Sequence, residues 1–251
     1  MEMLTEERYS IILDKLKSFE TVKIQELIEI TGASESTIRR DLTELEKKKF
    51  IKRIHGGARR MERKMDEPGM EEKSVKNLYQ KQLIAQEAAA FVEEGDCIFI
   101  DAGSTTNHMV PYLPDGDIIV VTNGLMHIEA LMKKGIRTYL TGGAVKPKTN
   151  ALIGRGAIDS LNGYRFDKAF MGTNGVHYES GYTTPDPEEA QVKAAAISLS
   201  REAFVLADSE KIGEIAFARF GELSEAVLIT ETFEENLALY KNQTSVKEVK
   251  A

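Results

Sequence analysis

Apolar residues recur at helical spacing three times in the first fifty positions. Tyr9, Ile12, Leu13 and Leu16 predict a helix over 5–18. In "VKIQELIEITG", Val22, Ile24, Leu27, Ile28 and Ile30 predict a second, stopped by Gly32. A third starts after Ser34 and runs to about Lys49, with Ile38, Leu42 and Leu45 on one face at i, i+4 and i+7. The Ser34 hydroxyl can cap it, although Thr37 stands where a full capping box would have Glu or Gln. "FIKRIHGGARRM" then alternates as strand, turn, strand, with Gly56-Gly57 supplying the turn. Three helices followed by a hairpin predict a winged helix-turn-helix over residues 1–59.

The pattern then breaks. "RMERKMDEPGMEEKSVK", residues 60–76, is charged and contains Pro68-Gly69, so it reads as a linker. From residue 77 to 251, strands and helices alternate. "YQKQLIAQEAAAFV" and "AQVKAAAISLS" are helical, while "DCIFID", "GDIIVVTN", "IRTYLTGG", "FDKAFMGTNG", "EAFVLADSEK" and "EAVLITE" are strands or strands with their following turns. Such alternation predicts an α/β domain built on a largely parallel sheet. "GRGAI", 154–158, lacks the third glycine of a dinucleotide fingerprint and follows no clear strand in the sequence, so it is not read as one.

Charge sharpens the division. The 251 residues carry a net −7, but residues 1–65 hold 15 Lys+Arg against 12 Asp+Glu, net +3, and the remainder is net −10. Nine basic residues against the single acid Glu62 fall within 47–64. A basic stripe on a small head attached to an acidic body points to double-stranded nucleic acid as a partner of the head. No apolar run approaches the roughly 18–20 residues of a membrane span, and "MEMLTEERYS" has no apolar signal region, so the expectation is a cytoplasmic protein with no membrane partner. The single cysteine, Cys97, opens an apolar run and reads as a buried small hydrophobe. His108, His127 and His177 form no nucleophile–base pattern, no metal-ligand spacing is present, and Met109, Met126 and Met132 read as core or gap-filling residues. No catalytic residue, metal or cofactor is expected.

"SESTIRRDL", Ser34–Leu42, holds the candidate chemistry of the head. With each residue turning about 100° on the helix, Ser36, Arg40 and Thr43 lie roughly opposite the apolar face, with Arg39 alongside and Thr37 on the other flank. Asp41 falls near the edge of the buried face and is expected to pair within the head. Arginine can grip guanine bidentately, and Ser and Thr can hold phosphates. In the body, "DAGSTT" (101–106), "TNG" (122–124), "TGG" (141–143) and "GTNG" (172–175) stand at the ends of predicted strands, where open α/β sheets take ligands. Backbone N–H groups of "GSTT" at a helix start can hold a phosphate. Lys211 follows another strand; it adds positive charge to that anion or is a surface lysine. Glu189 and Lys193, four apart, are either ligand-facing or an i,i+4 surface pair.

Arg8, Ile12 and Leu16, then seventeen residues, then "SESTIRRDL" and "KRIHGGA", together resemble the DNA-binding signature and wing of the DeoR family of bacterial transcription regulators, over residues 8–58. The resemblance implies that Ser36, Thr37, Arg39 and Arg40 contact DNA and that Arg53, His55, Gly56 and Gly57 place the wing near the DNA backbone or minor groove. Residues 76–233 resemble the same family's sensor domain, which is similar in fold to ribose-5-phosphate isomerase and the coenzyme A transferases. In the isomerase, a Gly-Ser-Thr loop and a lysine in an "AD-x-x-K"-like segment hold the sugar phosphate; "GSTT" and Lys211 match those positions. The isomerase's acidic segment is replaced here by "MGTNG", Met171–Gly175. Proton abstraction needs a positioned base, so the resemblance implies a binding pocket rather than an enzyme, with an isomerase-like enzyme carrying a fused DNA-binding module as the alternative. The implied effector-binding set is Asp101, Gly103, Ser104, Thr105, Thr106, Asn123, Gly142, Gly143, Asn174, Glu189, Lys193 and Lys211. Within the family the chain resembles the fructose-operon repressors of Gram-positive bacteria. That implies a repressor acting as a homo-oligomer, dimer or tetramer, whose effector is a phosphorylated sugar, with fructose 1-phosphate first.

Overall fold

The computed structural model describes residues 4–19, 21–48, 50–60, 67–233 and 237–250. The contacts divide the chain into two units, Met1–Arg63 and Lys64–Ala251. Residues 61–66 of the expected linker lie outside the described residues.

The first unit contains α1 (Thr5–Ser18), β1 (Thr21–Lys23), α2 (Ile24–Thr31), α3 (Glu35–Lys47), β2 (Ile51–Ile54) and β3 (Gly57–Arg60). Ile12, Leu16, Leu27, Ile38, Leu42 and Leu45 close into one core with Val22 and Ile51, as the helical spacing requires. Gly32 ends α2 in the left-handed conformation, φ 67°. Two details differ from the expectation. Residues 21–23, read as the start of a helix, form a third strand, and the sheet order is β1-β3-β2, all antiparallel. The turn is also His55-Gly56 rather than Gly56-Gly57. Gly56 has φ 79°, whereas Gly57 already belongs to β3 and is glycine for another reason. A Cβ there would sit 2.2 Å from the Val22 carbonyl oxygen, so β1 could not pair with β3.

The second unit opens with α4 (Met70–Val75) and α5 (Leu78–Ala89). It continues through β4 (Cys97–Ile100), α6 (Ser104–Asn107), β5 (Ile119–Thr122), α7 (Ile128–Lys133), β6 (Arg137–Leu140), β7 (Ala144–Lys146), β8 (Ala151–Ile153), α8 (Arg155–Asn162) and β9 (Phe166–Gly172). The remainder is β10 (Gly175–His177), β11 (Gly181–Thr184), α9 (Pro187–Ser198), β12 (Ser200–Leu206), β13 (Ala218–Gly221), β14 (Val227–Glu231), α10 (Leu237–Lys241) and β15 (Val246–Val249). Seven strands form one parallel sheet in the order β15-β14-β12-β9-β4-β5-β6. Alternate residues feed two separate cores. Phe99, Ala169, Met171 and Val205 pack on one face, and Ile98, Ile100, Phe170 and Phe204 on the other. Burial on both faces explains why these strands read as continuous apolar runs.

Residues 67–76 differ from the linker expectation. Glu67 and Met70 are buried, Met70 N–H donates to the Lys148 carbonyl at 3.0 Å, and α4 packs against α6. The segment reads as linker because the partners that tie it to the body, Lys146 for Glu67 and Glu210 for Lys76, lie far along the chain. Cys97 is half-buried rather than enclosed, and Met132, expected in the core, is exposed, while Met109 is fully buried. "GRGAI" does follow a short strand, β8, and Gly154 (φ 78°) turns it into α8.

Candidate functional site

In the first unit, α3 presents its polar row outward. Ser34 Oγ accepts from Thr37 N–H at 3.3 Å and lies 2.9 Å from both the Ser36 and Thr37 hydroxyls, so these side chains are gathered at the start of the helix. Arg39 is held against Glu35, Nη2 to Oε1 at 2.6 Å. Arg40 is exposed and has no charged partner among the described residues. Arg53 joins the hairpin to this helix: its N–H donates to Glu46 Oε1 at 2.7 Å and its Nη1 to Thr43 Oγ1 at 3.0 Å. Arg39, Arg53, His55 and Gly56 line one surface groove with Glu46 and Ile24. Gly57 lies outside that lining, inside the sheet.

The inward side of α3 is fixed by charge. Asp41 is 3% exposed, and its carboxylate takes a fork from Arg8 of α1: Nε to Oδ2 at 2.7 Å and Nη2 to Oδ1 at 3.2 Å. This is the pairing within the head expected for Asp41.

In the second unit the sheet order locates a site by itself. Chain order runs β4-β5-β6 in one direction and β9-β12-β14-β15 in the other, so the winding reverses between β4 and β9. A crevice opens at such a switch point, beyond the carboxyl ends of the strands. "DAGSTT" follows β4 and "GTNG" follows β9, and the two loops touch: Gly172 N–H donates to Asp101 Oδ2 at 3.1 Å. The Lys193 ammonium, from α9, bonds the same carboxylate and reaches the Gly172 carbonyl at 3.0 Å. Lys193 and Glu189 are 4% and 6% exposed and do not pair with one another, which removes the surface-pair alternative. Glu189 Oε1 instead accepts from Lys146 at 3.0 Å and Thr149 Oγ1 at 2.8 Å, and Oε2 from Thr184 Oγ1 at 3.3 Å. Thr184 also donates to Asn174 Oδ1 at 3.2 Å, bringing Asn174 into this network.

The expected effector residues divide by what their polar atoms are doing. Ser104 and Thr105 are buried, and their hydroxyls have no hydrogen-bond partner among the described residues. The Thr106 hydroxyl is spent inside the loop, 2.6 Å from the Asp101 carbonyl and 2.9 Å from that of Gly103. Asn123 is also spent: Oδ1 accepts from Ala102 N–H at 2.8 Å and Nδ2 donates to the Leu152 carbonyl at 3.3 Å, pinning the "DAGSTT" loop. Gly142 and Gly143 make their close contacts with β8 and α8. Gly142 N–H donates to Ser160 Oγ at 3.0 Å, and a Cβ on Gly143, φ 118°, would lie 2.5 Å from the Ile153 carbonyl oxygen.

Lys211 stands beyond the end of β12 and has no carboxylate partner among the described residues. Beside it the structure adds groups that the sequence did not single out. Lys81 of α5 is 4% exposed, its ammonium donates to the Lys73 carbonyl, and burial lowers its pKa to about 8 against the upward pull of Asp208. Lys211 acts on it electrostatically, as does Lys81 on His108, which follows "GSTTN". Asp208 Oδ1 and His108 Nε2 are buried without hydrogen-bond partners among the described residues. Lys81 could have been found in the sequence: it shares a helical face with the buried Ile84, Ala85 and Ala88, a place where lysine is costly without a task. Lys146 offered no comparable signal.

Among the described residues, no group of three or more His, Cys, Asp or Glu is placed to hold a metal ion, and no helix is long and apolar enough to cross a membrane. The chain matches two family models, the DeoR-like helix-turn-helix domain over residues 8–64 and the DeoR C terminal sensor domain over 76–232. It is 52% identical over 250 residues to the HTH-type transcriptional regulator FruR of Bacillus subtilis, covering 99% of this chain and 100% of that one. It is 36% identical to the regulator GlpR of Haloferax volcanii, covering 89% and 88% of the two chains. It is 32% identical to the lactose phosphotransferase system repressor of Staphylococcus aureus, covering 86% and 87%. Ribose 5 phosphate isomerase A from Neisseria gonorrhoeae superposes with a TM-score of 0.40 at 20% identity, over 53% of this chain and 52% of that one. That likeness is too low to carry an inference, and the fold rests on the sheet order and the family models. With a helix-turn-helix at one end and the sensor domain filling most of the rest, the chain belongs to the DeoR family of transcriptional regulators.

Proposed function

We propose that this regulator is the repressor of a sugar-utilisation operon, fructose before others, and that a phosphorylated sugar, fructose 1-phosphate first, controls its grip on DNA. The observation that supports an anionic effector most directly is the crevice between β4 and β9. There the free Ser104 and Thr105 hydroxyls stand on the loop that Lys193 braces, with Lys211 beyond the neighbouring strand β12. Hydroxyl, amide and ammonium donors suit a phosphate. Asp101, Glu189 and Asn174 would receive the sugar hydroxyls. The staphylococcal relatives are named repressors of a lactose phosphotransferase system, which favours repression as the direction of control and a sugar as the signal.

On the head, Ser36, Thr37, Arg39 and Arg40 would meet the major groove, and Arg53, His55 and Gly56 the adjacent backbone. Two heads on two half-sites require a homo-oligomer. DNA and effector would then weaken each other's binding by one common factor.

A gel shift on the DNA upstream of the protein's own operon, titrated with fructose 1-phosphate, fructose 6-phosphate, glucose 6-phosphate and ribose 5-phosphate, tests this directly. Release of the DNA by one of them is the expected result. A specific complex indifferent to all four would overturn the effector assignment.

A further inference from the structure

Residues 67–76 lead from the sensor towards the head along the chain, and among the contacts that hold them on the sensor is one buried carboxylate. Glu67 is 6% exposed, with Oε1 2.5 Å from the Lys73 ammonium and Oε2 2.6 Å from that of Lys146. Lys146 also pairs with Asp186 at 2.9 Å and Glu189 at 3.0 Å. Burial works to raise the Glu67 carboxyl, and the two ammonium groups outweigh it, holding it below the usual carboxylate range. α4 rests on α6, the helix formed by "STTN", so the segment lies against the same loop that carries Ser104 and Thr105.

The ammonium groups in this layer are outnumbered by carboxylates before any ligand arrives. Lys73, Lys146 and Lys193 already face the carboxylates of Glu67, Asp101, Asp186 and Glu189. A further anion or a polyhydroxylated ligand must therefore compete with one of them. Asp101 is fixed at the end of β4, and Glu189 and Asp186 at the start of α9, all tied to the parallel sheet. Glu67 alone belongs to the segment outside that framework. The segment's other described ties include Met70 N–H to the Lys148 carbonyl, Lys81 to the Lys73 carbonyl and the half-exposed pair of Lys76 with Glu210 at 3.1 Å.

We propose that the Glu67 carboxylate is an internal competitor of the effector, occupying Lys73 and Lys146 in the free protein and displaced when a phosphorylated sugar fills the crevice, which releases residues 67–76. This rests on the sugar-phosphate reading of the crevice and adds the route by which occupancy reaches the chain segment that precedes α5. It also explains why Glu67 is buried in so charged a segment: its ion pairs hold it and depend on two lysines that a ligand can claim.

The test is calorimetric titration of the full chain and of Glu67→Gln with fructose 1-phosphate, glucose 6-phosphate and inorganic phosphate, together with amide hydrogen exchange. A neutral amide competes less well for ammonium groups, so Glu67→Gln should bind the preferred sugar phosphate about tenfold more tightly. Exchange over 67–76 should rise in the free variant, and in the wild type only when ligand is added, while exchange over Ile98–Ile100 stays unchanged and reports an intact sheet. Glu67→Asp, which keeps the charge, should stay close to the wild type in affinity. Unchanged or weaker binding by Glu67→Gln, or greater protection of 67–76 on ligand addition, overturns the proposal while leaving the effector reading intact. If neither wild type nor Glu67→Gln binds any sugar phosphate, both fall together.

Discussion

Removing the Asp41 carboxylate should unfold the head without touching the body. In Asp41→Ala the Arg8 guanidinium keeps its buried position, 9% exposed, and loses both arms of its fork. Breaking a buried ion pair by deleting one partner costs about 3–5 kcal/mol. A domain of this size draws only about 3–5 kcal/mol from its core, so the loss is comparable to the whole stability of the unit. The assay is amide exchange along α3 in the full chain. Protection at Leu42 and Leu45, both fully buried, should fall by about two to four decades, while Ile98–Ile100 of β4 remain unchanged. Operator affinity should fall in proportion to the folded fraction of heads. Arg8→Met with Asp41→Leu, which replaces the pair by apolar groups, should restore both protection and operator binding. Normal α3 protection in Asp41→Ala with lost operator binding would refute the reasoning, since Asp41 would then act at the DNA rather than through the fold. A folded double variant that cannot bind the operator would refute it equally.

Three further outcomes can be checked. Arg40→Ala, which removes an exposed arginine, should weaken operator binding by about 1–3 kcal/mol, roughly 5- to 150-fold, with effector affinity by calorimetry unchanged; undiminished operator affinity would take the recognition role away from α3. Thr105→Ala and Lys211→Ala should each weaken the preferred sugar phosphate by about 1.5–3 kcal/mol, roughly 10- to 150-fold, and leave operator binding insensitive to it; normal release in both would place the phosphate elsewhere. His127 is wholly buried, its Nδ1 2.8 Å from Thr122 Oγ1, and burial lowers its pKa to about 4 despite the pull of Asp101. Because the folded value lies below the unfolded one of about 6.5, the neutral ring's contribution is complete above pH 6.5 and is lost as pH falls towards 4. The drop is about 2 kcal/mol by pH 5, so urea unfolding at pH 7 and pH 5 should show the wild type losing that much more than His127→Gln, and equal losses would mean His127 is not held neutral.

Local pattern carried the head almost completely. The apolar spacing of Ile38, Leu42 and Leu45 fixes which side of α3 is buried, and that leaves Ser36 and Arg40 outside and turns Asp41 inward. These relations are set within one helix, where 3.6 residues per turn ties sequence distance to direction. The errors were equally physical. β1 is three residues long and exists only because β3 pairs with it, and Gly57 is small because of Val22, a neighbour across the sheet rather than along the chain.

In the body, the alternation of strands and helices and the short polar loops at strand ends were open to reading in the sequence. Which loops share a crevice was not. Tertiary structure decided that by placing β9 beside β4, so that Asp101 meets Gly172 and Lys193 across separations of 71 and 92 residues. It left the Ser104 and Thr105 hydroxyls without a partner among the described residues while committing Thr106 and Asn123 to holding their loop. It also carried Glu67 and Met70, from a stretch that composition marks as linker, into the interior. Glu67 and Lys146 are 79 positions apart, and a charge's fate depends on the partner that folding brings to it. The sequence by itself determined the two-part architecture and the donors facing outward on α3, because both follow from periodicity. The pairing of buried charges depends on three-dimensional proximity, and only the folded chain supplies it.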